Sequence, residues 1–484
     1  MTKPQTTVTA IAGDGIGPEV MNATKAVLAA AGANIAWDDA VAGAEVFRAG
    51  IATGCPQDTL DSIARNGVAL KGPLETPVGY GEKSANVTLR KYFELYANIR
   101  PVKELPGVIT PFSGRNIDLV VVRENVEDLY AGIEHMQTPG VAQCLKLITE
   151  VGSERILRLA FALARAEKRT KIACSTKANI MKLTEGMMKK VFERISPEYP
   201  GIAPSHVIID NCAHQLVINP EQFDVIVTTN MNGDVISDLA AGLVGGLGVA
   251  PSSNIGDKAA MFEAVHGSAP QIAGKGLANP TALLLSAVMM LRHIGDFEAA
   301  ASVENALYVT LEEGRDLTGD IAPRGTGGGT DAYVARLIAN LGRKPTTVAA
   351  ARDYAPLEMP HWPPGTYAIA AASREMVGLD VFIESEREPT NLGASLVMAT
   401  EGSAFRLNGL TNRGVQVWPP MGGNTFVVDH FCARFLLRKP LVGEGVAEIA
   451  DLLQRISRQH RWMHLEKLQT FGGIDGFTKA QGEG

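Results

Sequence analysis

Short apolar runs rich in β-branched residues alternate with longer segments whose apolar residues recur at helical spacing. The short runs predict strands at residues 7–12, 117–122, 171–176, 206–210 and 224–230. The longer segment at residues 179–195 predicts a helix, because its apolar residues return to one face: Met181, Leu183, Met187, Met188 and Val191. Strands that alternate with helices in this way predict βα units around a mostly parallel sheet.

The pattern changes near residue 339. A proline-rich stretch at residues 356–364 separates the first part of the chain from a distinct tail. The tail contains strand-like runs at residues 377–383 and 425–431 and an amphipathic helix at residues 446–458. These features predict a small α+β domain over residues 341–484.

Composition excludes several classes of protein. The 484 residues include 45 basic and 52 acidic side chains, a net charge of −7, which argues against a nucleic-acid-binding surface. Five scattered cysteines without C-x-x-C spacing predict reduced thiols rather than disulfides or zinc ligands. The longest apolar stretches are too short to span a bilayer, and the polar first nine residues predict no signal peptide. We therefore expect a cytoplasmic protein that binds neither membrane nor nucleic acid.

A glycine cluster at residues 13–17 follows the first predicted strand and invites a dinucleotide-binding interpretation. The cluster lacks G-x-G-x-x-G spacing, as do residues 245–248 and 325–329. We expect these glycines to serve tight turns and close backbone approach instead of a standard Rossmann fingerprint.

Charged residues lie at or just past the carboxyl ends of several predicted strands. Arg123 comes after one strand, Lys177 after the next, Asp210 ends a third and Asp234 follows a fourth. Because ligands of open α/β sheets bind at the carboxyl ends of the strands, these residues predict a functional site.

Asp234 and Asp238 are four residues apart in a predicted helix, so both carboxylates face the same way. Together with Asp210 they offer three hard oxygen donors, which suit Mg²⁺ or Mn²⁺. The alternative is that the aspartates are helix N-caps.

A second polar cluster lies upstream. A predicted helical segment of about two turns contains Ser84, Asn86 and Arg90, and Arg100 follows it. Arg90, Arg100 and Arg123 can each clamp a carboxylate in bidentate fashion. A single arginine of this kind is more often a surface ion-pair residue, so the hypothesis depends on the set.

The motifs resemble those of the β-decarboxylating dehydrogenases, the family of isocitrate, homoisocitrate, isopropylmalate and tartrate dehydrogenases. The resemblance extends from about residue 7 to residue 341, and residues 461–467 resemble the extra C-terminal domain of the longer homodimeric isocitrate enzymes. The segments that carry it are residues 72–77, 84–90, 123–132, 232–238 and 263–270.

This resemblance implies an α/β fold of the isopropylmalate/isocitrate dehydrogenase type, which is not a standard Rossmann fold. It implies a large cofactor-binding domain over residues 1–95 and 245–340. A small domain over residues 96–244 would carry the dimer clasp and the metal and substrate residues. The third, α+β domain would span residues 341–484.

The resemblance also implies residue roles. Ser84, Asn86, Arg90, Arg100 and Arg123 would bind substrate. Asp234 and Asp238 would bind the metal, joined by Asp210 of the partner subunit in a homodimer. Lys177, also from the partner, would assist deprotonation of the hydroxyl, and Tyr130 would protonate the enolate. The implied cofactor residues are Thr76, Asn86, Glu263, His266, Gly267, Ser268, Ala269, Gln271, Ile272 and Asn279.

Substrate and cofactor follow from family differences. Isopropylmalate enzymes carry leucines in the 84–90 segment, so Ser84 and Asn86 favour isocitrate and a role in the tricarboxylic acid cycle. NADP-dependent members carry Lys-Tyr where this chain has Gln271 and Ile272. We therefore expect NAD. NADP is the alternative because Arg324 aligns with a phosphate-binding position.

Two other functions stay open at this point. The family includes non-catalytic regulatory paralogues, although these generally lose parts of the acid–base and metal set. An isopropylmalate or tartrate dehydrogenase is the other alternative, disfavoured by Ser84 and Asn86.

Overall fold

The computed structural model describes residues 5–75, 84–323, 325–352, 354–361, 372–420, 425–441 and 443–480. Its α-helices are α1 Gly17–Ala30, α2 Ala44–Arg48, α3 Gln57–Asn66, α4 Ala85–Tyr92, α5 Glu150–Ala166, α6 Thr184–Ile195, α7 Ile209–Ile218, α8 Asn230–Val244, α9 Thr281–His293, α10 Phe297–Glu313, α11 Thr330–Ala339, α12 Pro389–Ala399 and α13 Val446–Ser457.

The strands complete this inventory. They are β1 Thr6–Ile11, β2 Ile35–Ala40, β3 Val68–Lys71, β4 Ala97–Lys103, β5 Asp118–Glu124, β6 Glu134–Thr138, β7 Val141–Cys144, β8 Lys171–Thr176, β9 Ala203–Ile208, β10 Val225–Thr228, β11 Pro251–Ile255, β12 Ala260–Ala264, β13 Arg374–Glu384, β14 Phe405–Asn412, β15 Val415–Trp418, β16 His430–Leu437, β17 Arg461–Phe471 and β18 Ile474–Asp475. The chain divides into two compact units, residues 1–131 with 146–362, and residues 132–145 with 363–484.

The first unit is built on a ten-stranded sheet in the order β2-β1-β3-β12-β11-β4-β5-β10-β8-β9. Its pairs are parallel except where β11 and β4 join their neighbours. The central strands are buried on both faces, and Val120, Val121 and Val122 have no exposed surface. A continuous apolar run of this kind is typical of a strand covered by helices on both sides. The expectation of a mostly parallel α/β sheet is confirmed.

The predicted boundaries agree with the structure to within a few residues at most positions. β8 spans residues 171–176 as predicted. The strand predicted over 206–210 was wrong at its end: β9 ends at Ile208, and Asp210 lies in the first turn of α7. The helix predicted from 179 begins at Thr184, since the Ile180 N–H closes a separate turn on the Lys177 carbonyl.

The second unit is a six-stranded antiparallel sheet, in the order β15-β14-β16-β13-β17-β18, with α12 and α13 contributing to its core. The β6–β7 hairpin belongs to this unit, where Thr138 Oγ1 donates to Asp429 Oδ1 at 3.0 Å. The strand predicted over 425–431 was displaced, because β16 begins only at His430. The side chain of Asn412 bonds the backbone of Val428 and the carbonyl of His430, which holds the preceding residues as a loop.

Two expectations from composition can be compared with these units. All five cysteines are free thiols, as predicted from their spacing. Within the residues described above, the helices are all too short or too polar to cross a membrane.

Candidate active site

Helix α8 presents the two predicted metal-binding carboxylates. Its N-cap is Thr229, so Asp234 and Asp238 lie inside the helix and are not N-caps. They are one turn apart and both partly exposed, with side-chain exposures of 34% and 50%. The helix therefore offers two carboxylates on one accessible face.

Arg123, at the end of β5, packs directly against the start of α8. Its guanidinium donates to Asn230 Oδ1 at 2.8 and 3.1 Å and also to Asp234. A Cβ on Gly233 would lie 2.5 Å from Arg123 Cγ, so the side chain fits only because residue 233 is glycine. This contact explains why the motif places glycine before Asp234.

Arg100, on β4, reaches the same helix from a neighbouring strand. Its Nη1 donates to Ser237 Oγ at 2.6 Å and to Asp238 Oδ1 at 2.9 Å. Burial, together with the positive charges of Arg123 and Arg90, lowers the pKa of Arg100 to about 10. The three predicted substrate arginines are therefore close enough to repel one another, which favours binding of an anion between them.

Arg90, on α4, is held by a buried glutamate. Glu263 Oε1 lies 3.0 Å from Arg90 Nη2 and accepts from Asn254 at 2.7 Å, while Oε2 pairs with Lys71 Nζ at 2.7 Å. Burial alone would raise the pKa of Glu263, but Lys71 and Arg90 outweigh it and hold that pKa far below its usual range. Glu263, predicted to contact cofactor, thus orients Arg90, one of the predicted substrate residues.

Two polar atoms beside this cluster are buried without a hydrogen-bond partner among the described residues. They are Asn86 Oδ1 and Arg90 Nε, one on each predicted substrate residue of α4. Buried polar groups are normally paired, so an unpaired acceptor and donor on one short helix indicate groups that a ligand satisfies. Ser84 precedes this helix as its N-cap residue.

Tyr130 lies in a 3-10 turn, Leu129–Ala131, next to the carboxylates. Its hydroxyl donates to Asp234, and the guanidinium of Arg123 lies 4.9 Å from its ring centroid. Burial and the hydrogen bond to Asp234 raise the pKa of Tyr130, so the phenol keeps its proton near neutral pH. A protonated tyrosine in this position can act as a general acid.

The two carboxylates of α8 differ in their electrostatics. Burial alone would raise the pKa of Asp234, but Arg123 and the Tyr130 hydrogen bond lower it below its usual value. Burial raises the pKa of Asp238, although Arg100 opposes that effect. Asp234 is therefore an anion in the free chain, and a bound cation would favour ionisation of Asp238 as well.

Lys177 and Asp210 form a separate group. Lys177 Nζ lies 2.8 Å from Asp210 Oδ1, and the Asp210 side chain is 68% exposed. Throughout the portion of the chain that the structure describes, no three acidic, histidine or cysteine residues converge as a metal site. A single subunit thus brings Asp234 together with Asp238 but does not bring Asp210 to them.

A cavity of about 600 Å³ lies beside residues of the predicted cofactor segment. His266, Gly267, Ala269, Ile272 and Asn279 line it, whereas Ser268 donates to Glu75 at 2.6 Å and Gln271 is exposed. The Nε2 atom of His266 is buried without a partner in the described part of the chain, and burial lowers the pKa of this imidazole. Thr76 and Arg324 lie outside the described residues.

The sequence did not single out Asp320 or Lys71. Asp320 lines the cavity and accepts from Asn279 Nδ2 at 2.8 Å; the sequence around it carries no signal for this role. Lys71 ends the apolar strand β3, so the strand-end rule that selected Arg123 and Lys177 also applies to it.

The glycine cluster after β1 serves close packing, as expected. Gly15 has φ of +59°, and a Cβ there would lie 2.0 Å from the Ser268 carbonyl oxygen. The Ile16 N–H donates to that same oxygen at 2.8 Å. The cluster thereby supports the backbone of the predicted cofactor segment.

Comparisons with known proteins cover both units. Residues 7–337 match the family described as isocitrate/isopropylmalate dehydrogenase, and residues 374–483 match the bacterial isocitrate dehydrogenase C-terminal domain. An isocitrate dehydrogenase [NADP] of Thermus thermophilus is 59% identical over 98% of this chain and 96% of its own length. A crystal structure of a protein from Thermus thermophilus superposes with a TM-score of 0.95, with 57% identity, over 100% of this chain and 97% of that one.

A shorter relative is named as a regulatory subunit, the class of protein to which one of the open alternatives belongs. A regulatory subunit of the mitochondrial isocitrate dehydrogenase [NAD] of Dictyostelium discoideum is 50% identical, over 65% of this chain and 86% of its own length. The matches over both units establish that the chain belongs to the isocitrate/isopropylmalate dehydrogenase family of oxidoreductases and carries the bacterial isocitrate dehydrogenase C-terminal domain.

Proposed function

We propose that this protein is a metal-dependent isocitrate dehydrogenase that works as a homodimer. The observation that carries the proposal is the cluster of Arg90, Arg100 and Arg123 around Asp234 and Asp238, beside the buried Asn86 Oδ1 and Arg90 Nε. Crowded guanidiniums beside a carboxylate pair suit a substrate with several carboxylates that is also chelated by a cation.

Each arginine has a distinct anchor, which supports a fixed substrate geometry. Arg90 is held by Glu263, Arg100 by Ser237 and Asp238, and Arg123 by Asn230. Pre-oriented donors lose little conformational entropy when substrate carboxylates bind. Asn86, on the same helix as Arg90, would hydrogen-bond the remaining carboxylate.

In the proposed reaction, the substrate hydroxyl loses its proton with assistance from Lys177 of the partner subunit. Loss of the hydrogen on the carbon that bears this hydroxyl, as hydride to the nicotinamide, converts the alcohol to a β-keto acid. The C–C bond to the β-carboxylate then breaks, CO₂ departs, and the electron pair of that bond forms an enolate. Tyr130 donates its phenolic proton to the enolate carbon, which completes formation of 2-oxoglutarate. When bound, the metal stabilises negative charge on the substrate oxygen and the nicotinamide accepts the hydride.

The donor set fits a hard divalent cation. Asp234 and Asp238 are adjacent oxygen ligands on α8, and the exposed Asp210 is available to a second copy of the chain. Three carboxylates without sulfur or imidazole donors suit Mg²⁺ or Mn²⁺. Because one subunit supplies only two of the three, the proposed metal site requires the dimer.

For the cofactor, two observations point in different directions. The Thermus thermophilus relative, which spans nearly the whole chain, is named as NADP-dependent, and this supports NADP over the expected NAD. NAD is the second candidate, because the described lining of the cavity contains the acidic Asp320 and the apolar Ile272 but no lysine or arginine. An acidic side chain suits ribose hydroxyls, whereas a 2′-phosphate needs a cation.

The test is a set of initial rates with isocitrate and Mn²⁺, comparing NADP⁺ with NAD⁺. We expect turnover that is abolished by a chelator and absent with isopropylmalate. A larger kcat/KM with NADP⁺ selects the first cofactor candidate, and a larger value with NAD⁺ selects the second. Absence of turnover with either cofactor would contradict the enzyme proposal and favour the regulatory alternative.

A further inference from the structure

A buried ion bridge lies behind the proposed active-site residues. Lys146 Nζ is 2.6 Å from Asp128 Oδ1 and 2.7 Å from Glu185 Oε1, and neither carboxylate side chain has any exposed surface. None of these three residues is among the site residues that the sequence predicts. Two buried carboxylates on one ammonium are costly to assemble, so their retention calls for an explanation.

The Asp128 arm of the bridge leads to Tyr130 and the α8 carboxylates. Asp128 lies two residues before Tyr130 and caps its turn, since the Ala131 N–H donates to the Asp128 carbonyl. Its Oδ2 accepts from the Met231 N–H at 2.8 Å, in the first turn of the helix that carries Asp234. Asp128 therefore ties the proposed acid to the proposed metal helix.

The Glu185 arm leads to Lys177. Glu185 Oε2 accepts from the Lys177 backbone N–H at 3.0 Å, and its Oε1 accepts from Thr229 Oγ1 at 3.1 Å. Asn232 Nδ2 lies 3.3 Å from both oxygens. The carboxylate thus fixes the backbone from which the Lys177 side chain extends.

We propose that Lys146 is a positioning residue that fixes the Tyr130–Asp234 group relative to Lys177 through this bridge. The inference rests on the proposed function, in which these two groups serve different active sites of the dimer. Lys146 then connects two active sites inside one subunit. Lys146 does more than neutralise buried charge, because both carboxylates that it binds also hold backbone. Asp128 holds the turn of Tyr130 and the start of α8, and Glu185 holds the backbone N–H of Lys177.

The physical basis is that the bridge places three charges in direct contact. Burial alone would lower the pKa of Lys146, but Asp128 and Glu185 raise it, so the ammonium stays charged. Loss of that charge would leave two buried carboxylates repelling each other across the space that Lys146 fills. The two backbone segments would then separate, and both half-reactions would lose alignment.

The experiment measures the two half-reactions separately. Hydride transfer from isocitrate depends on Lys177, and exchange of the C3 protons of 2-oxoglutarate into D₂O depends on Tyr130. Lys146→Met should lower both rates by about 10-fold or more, as loss of a supporting contact typically does. Lys146→Arg should recover part of both, and Lys189→Met, which breaks only an exposed pair on α6, should leave both unchanged.

Single-arm variants separate the bridge from a general loss of fold. Asparagine tolerates the positive φ of residue 128, so Asp128→Asn is expected to keep the local backbone. Asp128→Asn should lower the rate of proton exchange more than that of hydride transfer, and Glu185→Gln should have the reverse effect. If Lys146→Met does not fold, the triple variant Lys146→Met with Asp128→Asn and Glu185→Gln removes all three charges together. Reduced rates of both reactions in that folded variant would support the proposal.

Three outcomes would overturn the inference. They are wild-type rates in the folded triple variant, loss of only one half-reaction in Lys146→Met, or no recovery in Lys146→Arg. An inactive wild-type protein would instead contradict the proposed function itself. The two failures are therefore distinguishable.

Discussion

At the scale of single residues, the proposed site depends on how burial and pairing act on charge. Arg123 is almost completely buried, yet Asn230 and Asp234 satisfy its guanidinium. Glu124, the next residue, is also buried, but within the described residues it is bound by the backbone N–H groups of Val126 and Glu127 and not by a cation. Burial opposes the charged form of both side chains, lowering the pKa of Arg123 and raising that of Glu124, but only Arg123 faces an opposite charge among the described residues.

This difference predicts a pH-dependent stability. Burial raises the pKa of Glu124 to about 7 from the ordinary 4.5, so the folded chain binds more protons than the unfolded chain between these values. Stability is then lost as pH rises from about 4.5 to 7. Glu124→Gln should therefore raise the free energy of unfolding by up to about 3 kcal/mol at pH 8, and should change it little at pH 5.

The measurement is urea unfolding of wild type and variant at both pH values. Gln retains an acceptor oxygen for the Val126 N–H, so the hydrogen bond survives the substitution. Glu401→Gln, at an exposed position, is the matched control and should change stability at neither pH. If Glu124→Gln changed the free energy of unfolding equally at pH 5 and pH 8, ionisation of Glu124 would not be the cause.

At the scale of elements, the sequence predicted the strands and helices whose periodicity depends on burial alone. β5 and β10 are continuous apolar runs in the sheet core, and their predicted ranges lie within a few residues of the observed ones. The errors lie where a specific contact decides the boundary. Asn412 holds the loop before β16, and Lys177 closes a turn before α6, and neither contact leaves a periodic pattern.

Helix α8 offers a prediction with a control on the same element. Gly233→Ala would place a Cβ 2.5 Å from Arg123 Cγ, so the guanidinium must move away from Asp234. Overpacking costs about 1–3 kcal/mol, which the higher helix propensity of alanine offsets by about 0.5–1 kcal/mol. We expect kcat/KM for isocitrate to fall at least about 10-fold while the fold is kept.

Gly242→Ala is the matched control, because Gly242 also lies in α8 and a Cβ there meets none of the described atoms within 4 Å. It should stabilise the chain by about 0.5–1 kcal/mol and leave kcat/KM unchanged. Thermal unfolding and steady-state kinetics of the two variants give both quantities. Equal kinetics for the two variants would show that Arg123 does not depend on this packing.

At the scale of the whole molecule, strand-end position located groups of residues but could not decide which groups meet, and only the family resemblance separated Lys177 and Asp210 from the others. Strand-end position selected Arg123, Lys177, Asp210 and Asp234 together. The structure joins Arg123 with Asp234 and Lys177 with Asp210, as two separate pairs. Spatial order in the sheet and contacts between copies depend on long-range packing, which a local pattern does not encode.

The separation of the two pairs predicts complementation between inactive subunits. Tyr130→Phe and Lys177→Met should each abolish turnover when every subunit carries the change. In the proposed dimer, a hybrid of the two variants contains one site with both defects and one site with neither. Refolding an equal mixture makes about half of the dimers hybrids, so about a quarter of wild-type activity should return.

The control pairs Tyr130→Phe with Arg123→Met, whose side chain lies beside Tyr130 in the same subunit. Both of those residues serve one site, and every hybrid site then carries one of the two defects, so activity should not return. Recovery with Lys177→Met but not with Arg123→Met places Lys177 across the subunit boundary. If Lys177→Met also failed to complement, Lys177 would act within its own subunit, and the metal site would need a third ligand other than Asp210.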